Sequence, residues 1–457
     1  MDKAKLLGES RITSLLWRFS VPAIVGNLVN ALYNVVDSIF VGQGVGEIGL
    51  TAVTIAFPLM LILIAIGMFV AAGTSALVSM RLGEQKLEEA EFILGNALTM
   101  IIVLITVSTS LALWFLDPLL ITFGATPDVL PYAHDFMSII LWGSAFLHIA
   151  FGLNNVIQAQ GDPGTALKTM LISALINIIL NPLFIFGMHL GVKGSALATV
   201  ISQAVAAIWV LAYFIKGRGS LKLRVKCLAL RKAIVVDISK IGVSVFLMQI
   251  SNSVVMVLIN NSLVVYGGEL AVAAYGIINR MVMLLMMPVM GIVQSAQPII
   301  GYNYGARYYG RVIQTIRIAL AVATMLCIGG FIVVQVFATE IVCLFNGGPE
   351  LVKIGSRGLK IFLLMLPLIS LPMVGGTYFQ AVGKASYSIV LNLLRQVLLL
   401  IPLVIFLPPM FGLVGIWAAA PISDVTATGL TILLLFKELK KLKADKRGWG
   451  QTAAETD

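Results

Sequence analysis

Residues 18–42, RFSVPAIVGNLVNALYNVVDSIFVG, are long enough to cross a lipid bilayer and contain one acidic residue, Asp37. Several small and polar residues recur every three or four positions, so on an α-helix they form one stripe: Gly26, Asn27, Asn30, Asn34 and Asp37. A carboxylate that faces hydrocarbon costs at least about 2.5 to 3.5 kcal/mol, so this stripe must face protein or water. Asp37 is therefore a candidate functional residue, and the alternative is a packing residue bonded to a neighbouring Ser or Asn. Pro22 removes a backbone donor early in the helix and predicts a bend there.

The composition indicates a membrane protein. Hydrophobic residues make up 59% of the chain and charged residues 11%, against about 45 to 50% and 25% in soluble domains. Twelve apolar runs are long enough to span a bilayer. We name them span 1 to span 12 in chain order: 15–41, 50–80, 93–116, 131–160, 168–188, 193–216, 233–265, 271–301, 313–340, 358–383, 386–407 and 412–436. The predicted fold class is an all-α integral membrane protein with 12 transmembrane helices.

The basic residues follow the predicted topology. The formal net charge is +10, but most lysines and arginines lie in the loops and tails on the side of both termini. The opposite loops are mainly acidic, with Lys193 and the segment 353–360 as the main exceptions. This asymmetry predicts a multi-pass protein of the cell membrane with both termini in the cytoplasm. It accounts for the charge without nucleic acid as a partner and leaves the lipid bilayer as the surface that the chain contacts.

The second half of the chain repeats the first. A shift of 222 positions pairs Asn30 with Asn252 and Gly161 with Gly383, and shifts of 220 and 221 pair Pro182 with Pro402 and Ser202 with Ser423. Six spans are an even number, so both halves enter the membrane in the same orientation, related by a pseudo-twofold axis along the membrane normal. The predicted domains are an N-terminal six-helix lobe (1–216), an inter-lobe linker (217–232), a C-terminal six-helix lobe (233–436) and a basic cytoplasmic tail (437–457). We interpret the linker as a positively charged loop and nothing more.

Depth in the membrane indicates partners for Asp37. At about 1.5 Å per residue, Asp37, Asn181 and Thr199 lie about 7 to 10 Å below the outer ends of spans 1, 5 and 6, so they can share one level. Asn177 lies one turn from Asn181 on the same face of span 5. Amide, hydroxyl and carboxylate oxygens suit either a proton or a hard cation such as Na⁺. Ile259 aligns with Asp37, so we expect one cation site, in the N-terminal lobe.

Polar and soft side chains inside the spans are candidates for a substrate cavity. The set is Tyr33, Asn34, Asn154, Gln158, Gln203, Gln249, Asn252, Met256, Asn279, Arg280, Met287 and Tyr378. Flexible methionine surfaces suit varied apolar solutes, although any one of these residues can instead serve helix packing. Arg280, Arg395 and Asp424 lie about 14 to 18 Å deep, and we favour an ion-paired cluster joining spans 8, 11 and 12 over a substrate site.

Catalytic and metal-binding signatures are lacking. The three histidines and three cysteines are scattered, and no zinc-protease, nucleophile-elbow or phosphate-loop motif occurs. The sequence predicts no enzyme, no cofactor other than the coupling ion H⁺ or Na⁺, and no certain metal site, with Na⁺ possible at Asp37.

Four stretches resemble the multidrug and toxic compound extrusion (MATE) family, in its prokaryotic DinF-like and MepA-like branch. They are VPAIVGN with NVVDSIFVGQGVG in span 1, NIILNPLFIFG in span 5, SAQPIIGYNYGARYYGRV after span 8 and FQAVGKA at the end of span 10. The resemblance implies two six-helix lobes around a cleft and export of organic cations by antiport with H⁺ or Na⁺. It implies a cation site at Asp37, Asn177, Asn181 and Thr199, and bending of span 1 at Pro22.

Two departures from the family pattern bear on the site. Many relatives carry an Asp where this chain has Asn181, which makes the site less anionic. The acidic pair on helices 7 and 10 of the Na⁺-coupled branch has no counterpart, since those regions offer Gln249 and Met373.

The sequence predicts a monomeric exporter of small amphipathic or cationic molecules that works by alternating access. The main alternative is a flippase for a lipid-linked oligosaccharide or another anionic lipid-linked substrate, because Arg280 and Arg395 would suit an anionic headgroup. An intramembrane enzyme lacks a catalytic set, and a channel lacks a filter-like loop.

Overall fold

A computed structural model describes residues 4–345 and 348–454, with side chains described as far as residue 444. Residues 1–3 of the predicted N-terminal lobe and 455–457 of the predicted tail lie outside the described residues. The described chain is almost entirely helical and contains no β-strand. The first six spans are Ile12–Val45, Glu47–Gly83, Leu87–Trp114, Leu130–Ala159, Pro163–Pro182 with a continuing π-helix Leu183–Gly187, and Val192–Ile215. Short helices lie before span 1 (Lys5–Glu9), between spans 3 and 4 (Leu116–Thr122) and after span 6 (Val225–Cys227).

The second half follows the same order. Spans 7 and 8 together occupy Lys232–Gly305, and span 9 is Tyr309–Cys343. Span 10 is Pro349–Phe362 followed by Leu366–Ala381, with a bend of 48° between the two pieces. Span 11 comprises Ala385–Leu393, the π-helix Leu394–Leu400, Ile401–Phe406 and Pro408–Phe411, and span 12 is Leu413–Ala454.

The prediction of twelve spans is confirmed by the helices of the described residues. Ten helices there are long and apolar enough to cross a membrane, and the bent pair of span 10 makes eleven. The helix Lys232–Gly305 has 74 residues, about 110 Å at 1.5 Å per residue, which far exceeds a hydrocarbon core of about 30 Å. Gly268 is non-helical (φ 65°, ψ −166°) and divides it into spans 7 and 8. Large apolar side chains such as Trp114 and Trp142 are 83% and 75% exposed, as a lipid-facing surface requires.

The backbone shows the same repeat as the sequence. Gly46, between spans 1 and 2, has φ 78° and ψ −160°, nearly the conformation of Gly268, which lies 222 positions later. The same shift relates Gln85 (φ 60°) to Arg307 (φ 61°). Left-handed backbone is rare outside glycine, so its recurrence at Gln85 and Arg307 indicates that the two halves are built alike.

The described chain forms two compact units. The first comprises the chain up to Glu9 and Val21–Gly242, and the second comprises Ser10–Ser20 and the chain from Val243 on. In the first unit, buried apolar residues of spans 2, 4 and 6 form a core: Ala52, Ala56, Leu59, Leu63, Phe136, Met137, Ile140, Leu141, Val192 and Ala196. In the second unit, the Tyr275 ring packs against Phe362 and Trp417, which joins spans 8, 10 and 12.

The linker, residues 217–232, is bound to span 3 by acidic side chains of that span. Glu91 is only 6% exposed. It accepts a hydrogen bond from the Lys222 backbone N–H at 3.2 Å and forms an ion pair with Arg224 at 3.0 Å. Glu88 pairs with Lys226 at 2.8 Å. The interpretation of this linker as only a charged loop is therefore wrong, because its basic residues have specific partners.

Asn96 fixes the second part of the linker. Its fully buried side-chain amide donates to Cys227 O and Ala229 O, each at 3.1 Å, and its Oδ1 accepts from the Arg231 N–H at 2.6 Å. Gly95 allows this close approach, since a Cβ there would lie 2.7 Å from Cys227 Cβ. The linker is thus a structured part of the first unit.

Two boundaries differ from the sequence prediction. Span 10 begins at Pro349 rather than 358, because Lys353, Arg357 and Lys360 lower the hydropathy of a segment that is nonetheless helical. Span 12 continues as a helix to Ala454, well into the predicted basic tail, where lysine, leucine, glutamate and alanine are strong helix formers.

Candidate functional site

The Asp37 carboxylate is held by two neutral donors within the first unit. The Asn181 side-chain N–H and the Ser195 hydroxyl both donate to Asp37 Oδ1, the latter at 2.8 Å. Both partners have no exposed surface, whereas Asp37 is partly buried. Within the described residues, no donor binds Asp37 Oδ2 and no lysine, arginine or histidine pairs with this carboxylate.

Asn177 and Thr199 lie behind this pair. The Asn177 amide donates to Thr199 Oγ1 at 3.1 Å, and the Asn181 amide reaches Asn177 Oδ1 at 3.5 Å. Asn181 Oδ1 is buried, and no donor among the described residues reaches it. The Tyr33 hydroxyl interacts with Thr199, so Tyr33 borders the predicted cation site although it was predicted for the substrate cavity. The structure thus brings Asp37, Asn177, Asn181 and Thr199 together as one network.

Irregular backbone in span 5 adjoins this network. Pro182 follows Asn181 directly and lacks a backbone N–H, and the next residues form the π-helix Leu183–Gly187. π-turns inside α-helices occur frequently at functional sites. Gly194 lets span 6 approach span 5 closely, because a Cβ there would meet the Phe184 carbonyl carbon at 2.9 Å. That contact places Ser195 at the carboxylate.

Ser195 is a member of the candidate site that the sequence interpretation missed. It precedes Thr199 by four residues and so lies one helical turn away on the same face. The signal was therefore available in the spacing of span 6, since the face predicted to carry Thr199 carries a second hydroxyl.

The substrate candidates of the first unit have modest local contacts. The Asn34 amide donates to Asn30 O of its own helix at 2.6 Å and the residue is exposed. The Asn154 amide donates to Ala166 O at 3.2 Å, while its buried Oδ1 has no partner among the described residues. Gln158 and Gln203 are partly exposed. All four stay candidates.

Five substrate candidates of the second unit are three amide residues, Gln249, Asn252 and Asn279, and two methionines, Met256 and Met287. Asn252 accepts a hydrogen bond from Gln396 at 2.6 Å and donates to Gln249 at 3.4 Å. Met256 is half-exposed and Met287 is partly exposed, while Asn279 hydrogen-bonds with Tyr275.

Tyr378 requires a correction. It has no exposed surface, and its hydroxyl donates to Glu438 Oε2 at 3.4 Å. Lys384 pairs with the same carboxylate. A residue buried in this network does not line an open cavity, so Tyr378 is a structural residue that the apolar pattern of span 10 could not distinguish from a cavity residue.

The predicted three-residue charge cluster is wrong in one member. Arg395 Nε donates to Asp424 Oδ1 at 2.6 Å, as expected. Arg280 is exposed, and its guanidinium lies 5.9 Å from the centre of the Phe345 ring. Among the described residues Arg280 has no ion pair, so it stays a substrate candidate outside the cluster.

Taken together, the fold and site define a class. Twelve spans in two repeated halves, with a partly buried carboxylate bonded only by neutral groups among the described residues, are typical of a secondary transporter with parallel repeats. The MatE family model matches residues 22–183 and 241–406. The chain therefore belongs to the MatE family.

Relatives and solved structures agree with this assignment. The chain is 28% identical over 438 residues to "Multidrug export protein MepA" of Staphylococcus haemolyticus (strain JCSC1435), covering 96% of both chains. It superposes with a TM-score of 0.92 and 25% identity on a crystal structure of MATE in the bent conformation, covering 97% of this chain and 99% of that one. It also superposes, with a TM-score of 0.89 and 25% identity, on a MOP superfamily transporter from Pyrococcus furiosus, covering 97% of this chain and 99% of that one. That transporter is described as having a binding pocket of reverse polarity that suggests a different function.

Proposed function

We propose that this chain exports small amphipathic or cationic compounds in exchange for H⁺ or Na⁺, with Asp37 as the carboxylate that binds the coupling ion. The observation that carries the proposal is the charge balance at Asp37, whose bonded partners, Asn181 and Ser195, are neutral. A carboxylate inside a membrane protein needs a counter-charge, and an exchangeable cation supplies it. The relatives named as multidrug export proteins support the substrate class.

The side chains around the Asp37 carboxylate have separate roles in this proposal. Asn181 and Ser195 hold Asp37 Oδ1, which leaves Oδ2 for a proton. Asn181 Oδ1, buried and without a donor among the described residues, adds an amide oxygen of the kind that ligates Na⁺. Either cation neutralises Asp37, and one charge crossing the membrane is worth about 2.3 kcal/mol per 100 mV. In this proposal, Pro22 lets span 1 bend as Asp37 changes its charge.

We also propose that both termini lie in the cytoplasm and that the protein is a monomer. Lys193 was the main single exception to the charge asymmetry, and it pairs with Asp135 at 3.1 Å. A lysine neutralised by a neighbouring aspartate contributes little net charge to its loop, so the exception supports the predicted orientation.

Dye transport in proteoliposomes tests the proposal. Ethidium efflux is measured with a pH gradient and with a Na⁺ gradient, imposed separately, for the wild type, Asp37→Asn and Asp128→Asn. Asp128 is an exposed loop residue and serves as the matched control. We expect one of the two gradients to drive efflux in the wild type and Asp128→Asn and neither to drive it in Asp37→Asn. Gradient-driven efflux by Asp37→Asn would remove Asp37 from the mechanism.

The flippase alternative loses part of its support. It relied on Arg280 and Arg395 for an anionic headgroup, and Arg395 is already neutralised by Asp424. A drug-susceptibility panel compared with a lipid-linked glycan export assay separates the two functions, and activity in the glycan assay alone would favour the flippase.

A further inference from the structure

A second polar network lies inside the second unit. Arg395 Nε donates to Asp424 Oδ1 at 2.6 Å, and the Ser423 hydroxyl donates to Arg395 O at 2.7 Å. On the next residue of span 11, the Gln396 amide donates to Asn252 Oδ1 of span 7 at 2.6 Å. The Asp424 side chain is 3% exposed and that of Arg395 is 30% exposed. The network therefore joins spans 7, 11 and 12.

These three spans are the repeat counterparts of the spans that form the Asp37 site. The shift of 222 places span 7 on span 1, and the shifts of 220 and 221 place spans 11 and 12 on spans 5 and 6. Asn252 aligns with Asn30, and Asp424 aligns with Gln203, which lies two turns from Ser195. In the described part of each half, an aspartate therefore lies where the same three helices meet. Asp37 is partly buried and Asp424 is buried, and the repeat register places Asp424 about two turns from the position equivalent to Ser195.

The two aspartates differ in their counter-charge. Among the described residues Asp37 has neutral partners only, whereas Asp424 has a guanidinium in direct contact. An arginine stays charged at any physiological pH and cannot dissociate from its own chain. We infer that Arg395 is a built-in counter-cation that neutralises Asp424 as an exchangeable cation neutralises Asp37, so that cation exchange is confined to the first half.

This inference rests on the proposed function only in treating Asp37 as the exchanging group. Its own content concerns Asp424, which becomes a new cation-binding carboxylate when Arg395 is replaced by a neutral residue. A buried carboxylate without its partner is strongly destabilising, and binding of a proton or Na⁺ relieves that cost. Binding to the folded state alone stabilises it, so the Arg395→Gln variant should gain stability as pH falls or Na⁺ rises.

Thermal unfolding of the full-length protein in detergent tests this. Midpoints are measured at pH 6 and pH 8, with and without NaCl, and with KCl as the ionic-strength control. The variants are Arg395→Gln, Arg395→Lys and the double variant Arg395→Gln/Asp424→Asn. We expect Arg395→Gln to show a larger rise in midpoint than the wild type at pH 6 or in NaCl. Arg395→Lys and the double variant should respond as the wild type does.

The outcome is decisive in both directions. A loss of stability in Arg395→Gln that is the same at both pH values and in both salts would overturn the inference, because it would show that Asp424 takes up no cation when the guanidinium is absent. So would the same cation response in the double variant, or failure of Arg395→Gln to fold under every condition. Repeating the series in an Asp37→Asn background separates the two proposals. The response of Arg395→Gln should persist there, whatever Asp37→Asn does to efflux.

Discussion

Asn96→Ala should detach the linker from span 3. The variant loses the bonds to Cys227 O, Ala229 O and the Arg231 N–H. At about 0.5 to 1.5 kcal/mol net for each hydrogen bond, three bonds amount to about 1.5 to 4.5 kcal/mol. Local opening of the linker should then be favoured by about tenfold to a thousandfold, since 1.4 kcal/mol is a factor of ten.

Cys227 provides a natural reporter for this opening. Its side chain is fully buried, and burial together with the nearby Glu91 charge raises the pKa of its thiol. A maleimide should therefore label the native protein slowly and Asn96→Ala faster by the factor given above. Cys327 and Cys343 are replaced by serine, so that only Cys227 reacts.

A matched control removes an asparagine that does not touch the linker. The Asn155 amide donates to Phe151 O of its own helix at 2.8 Å, so Asn155→Ala should leave the labelling rate of Cys227 unchanged. Labelling of Asn96→Ala within twofold of the wild type would refute the view that Asn96 anchors the linker.

Three further variants test the contacts within the first unit. Ser195→Ala removes a charge-assisted bond to Asp37, worth about 1.5 to 3 kcal/mol, and should lower the rate of ethidium efflux. The control Ser202→Ala loses only a hydroxyl that donates to Thr199 O and should not lower it. Equal efflux rates in the two variants would show that Ser195 does not act with Asp37. His148→Phe loses the polar contacts of the ring nitrogens with Ser144 O and Leu63 O and should lower the thermal midpoint in detergent. An unchanged midpoint would contradict this. Gly242→Val places side-chain atoms against Phe69 and should prevent a monodisperse peak in size-exclusion chromatography, whereas Gly329→Val, in open space, should not.

Much of the fold could be predicted because a bilayer imposes a simple rule. Apolar runs of about 20 residues must form helices that satisfy their own backbone, and that rule located all twelve spans. The repeat shift of 222 then relates Gly46 to Gly268, the glycine that ends span 7. The rule could not find the helical start of span 10 at Pro349, because amphipathic segments with several lysines and arginines resemble loops in hydropathy.

The site residues could be predicted where they lie at the same depth in the membrane. They could not be predicted where close packing of the helix backbones brings a side chain to the site. Counting helical rise placed Asp37 and Asn181 at one level, and they are hydrogen-bonded. The same counting could not show that Gly194 admits close packing and brings Ser195 to the carboxylate. The contacts of Asn96 were also hidden, since they join side chain to main chain across 131 and more positions and depend on no residue type in the linker.

Ion uptake driven by an ethidium gradient tests the central claim most directly. Proteoliposomes are loaded with ethidium and diluted into ethidium-free buffer without any ion gradient, and the pH and Na⁺ content of the lumen are followed with entrapped indicators. The account predicts that the outward ethidium gradient drives H⁺ or Na⁺ into the lumen of wild-type vesicles and fails to do so in Asp37→Asn vesicles. Ethidium loss from wild-type vesicles with no movement of either ion, or equal ion movement in the variant, would contradict it.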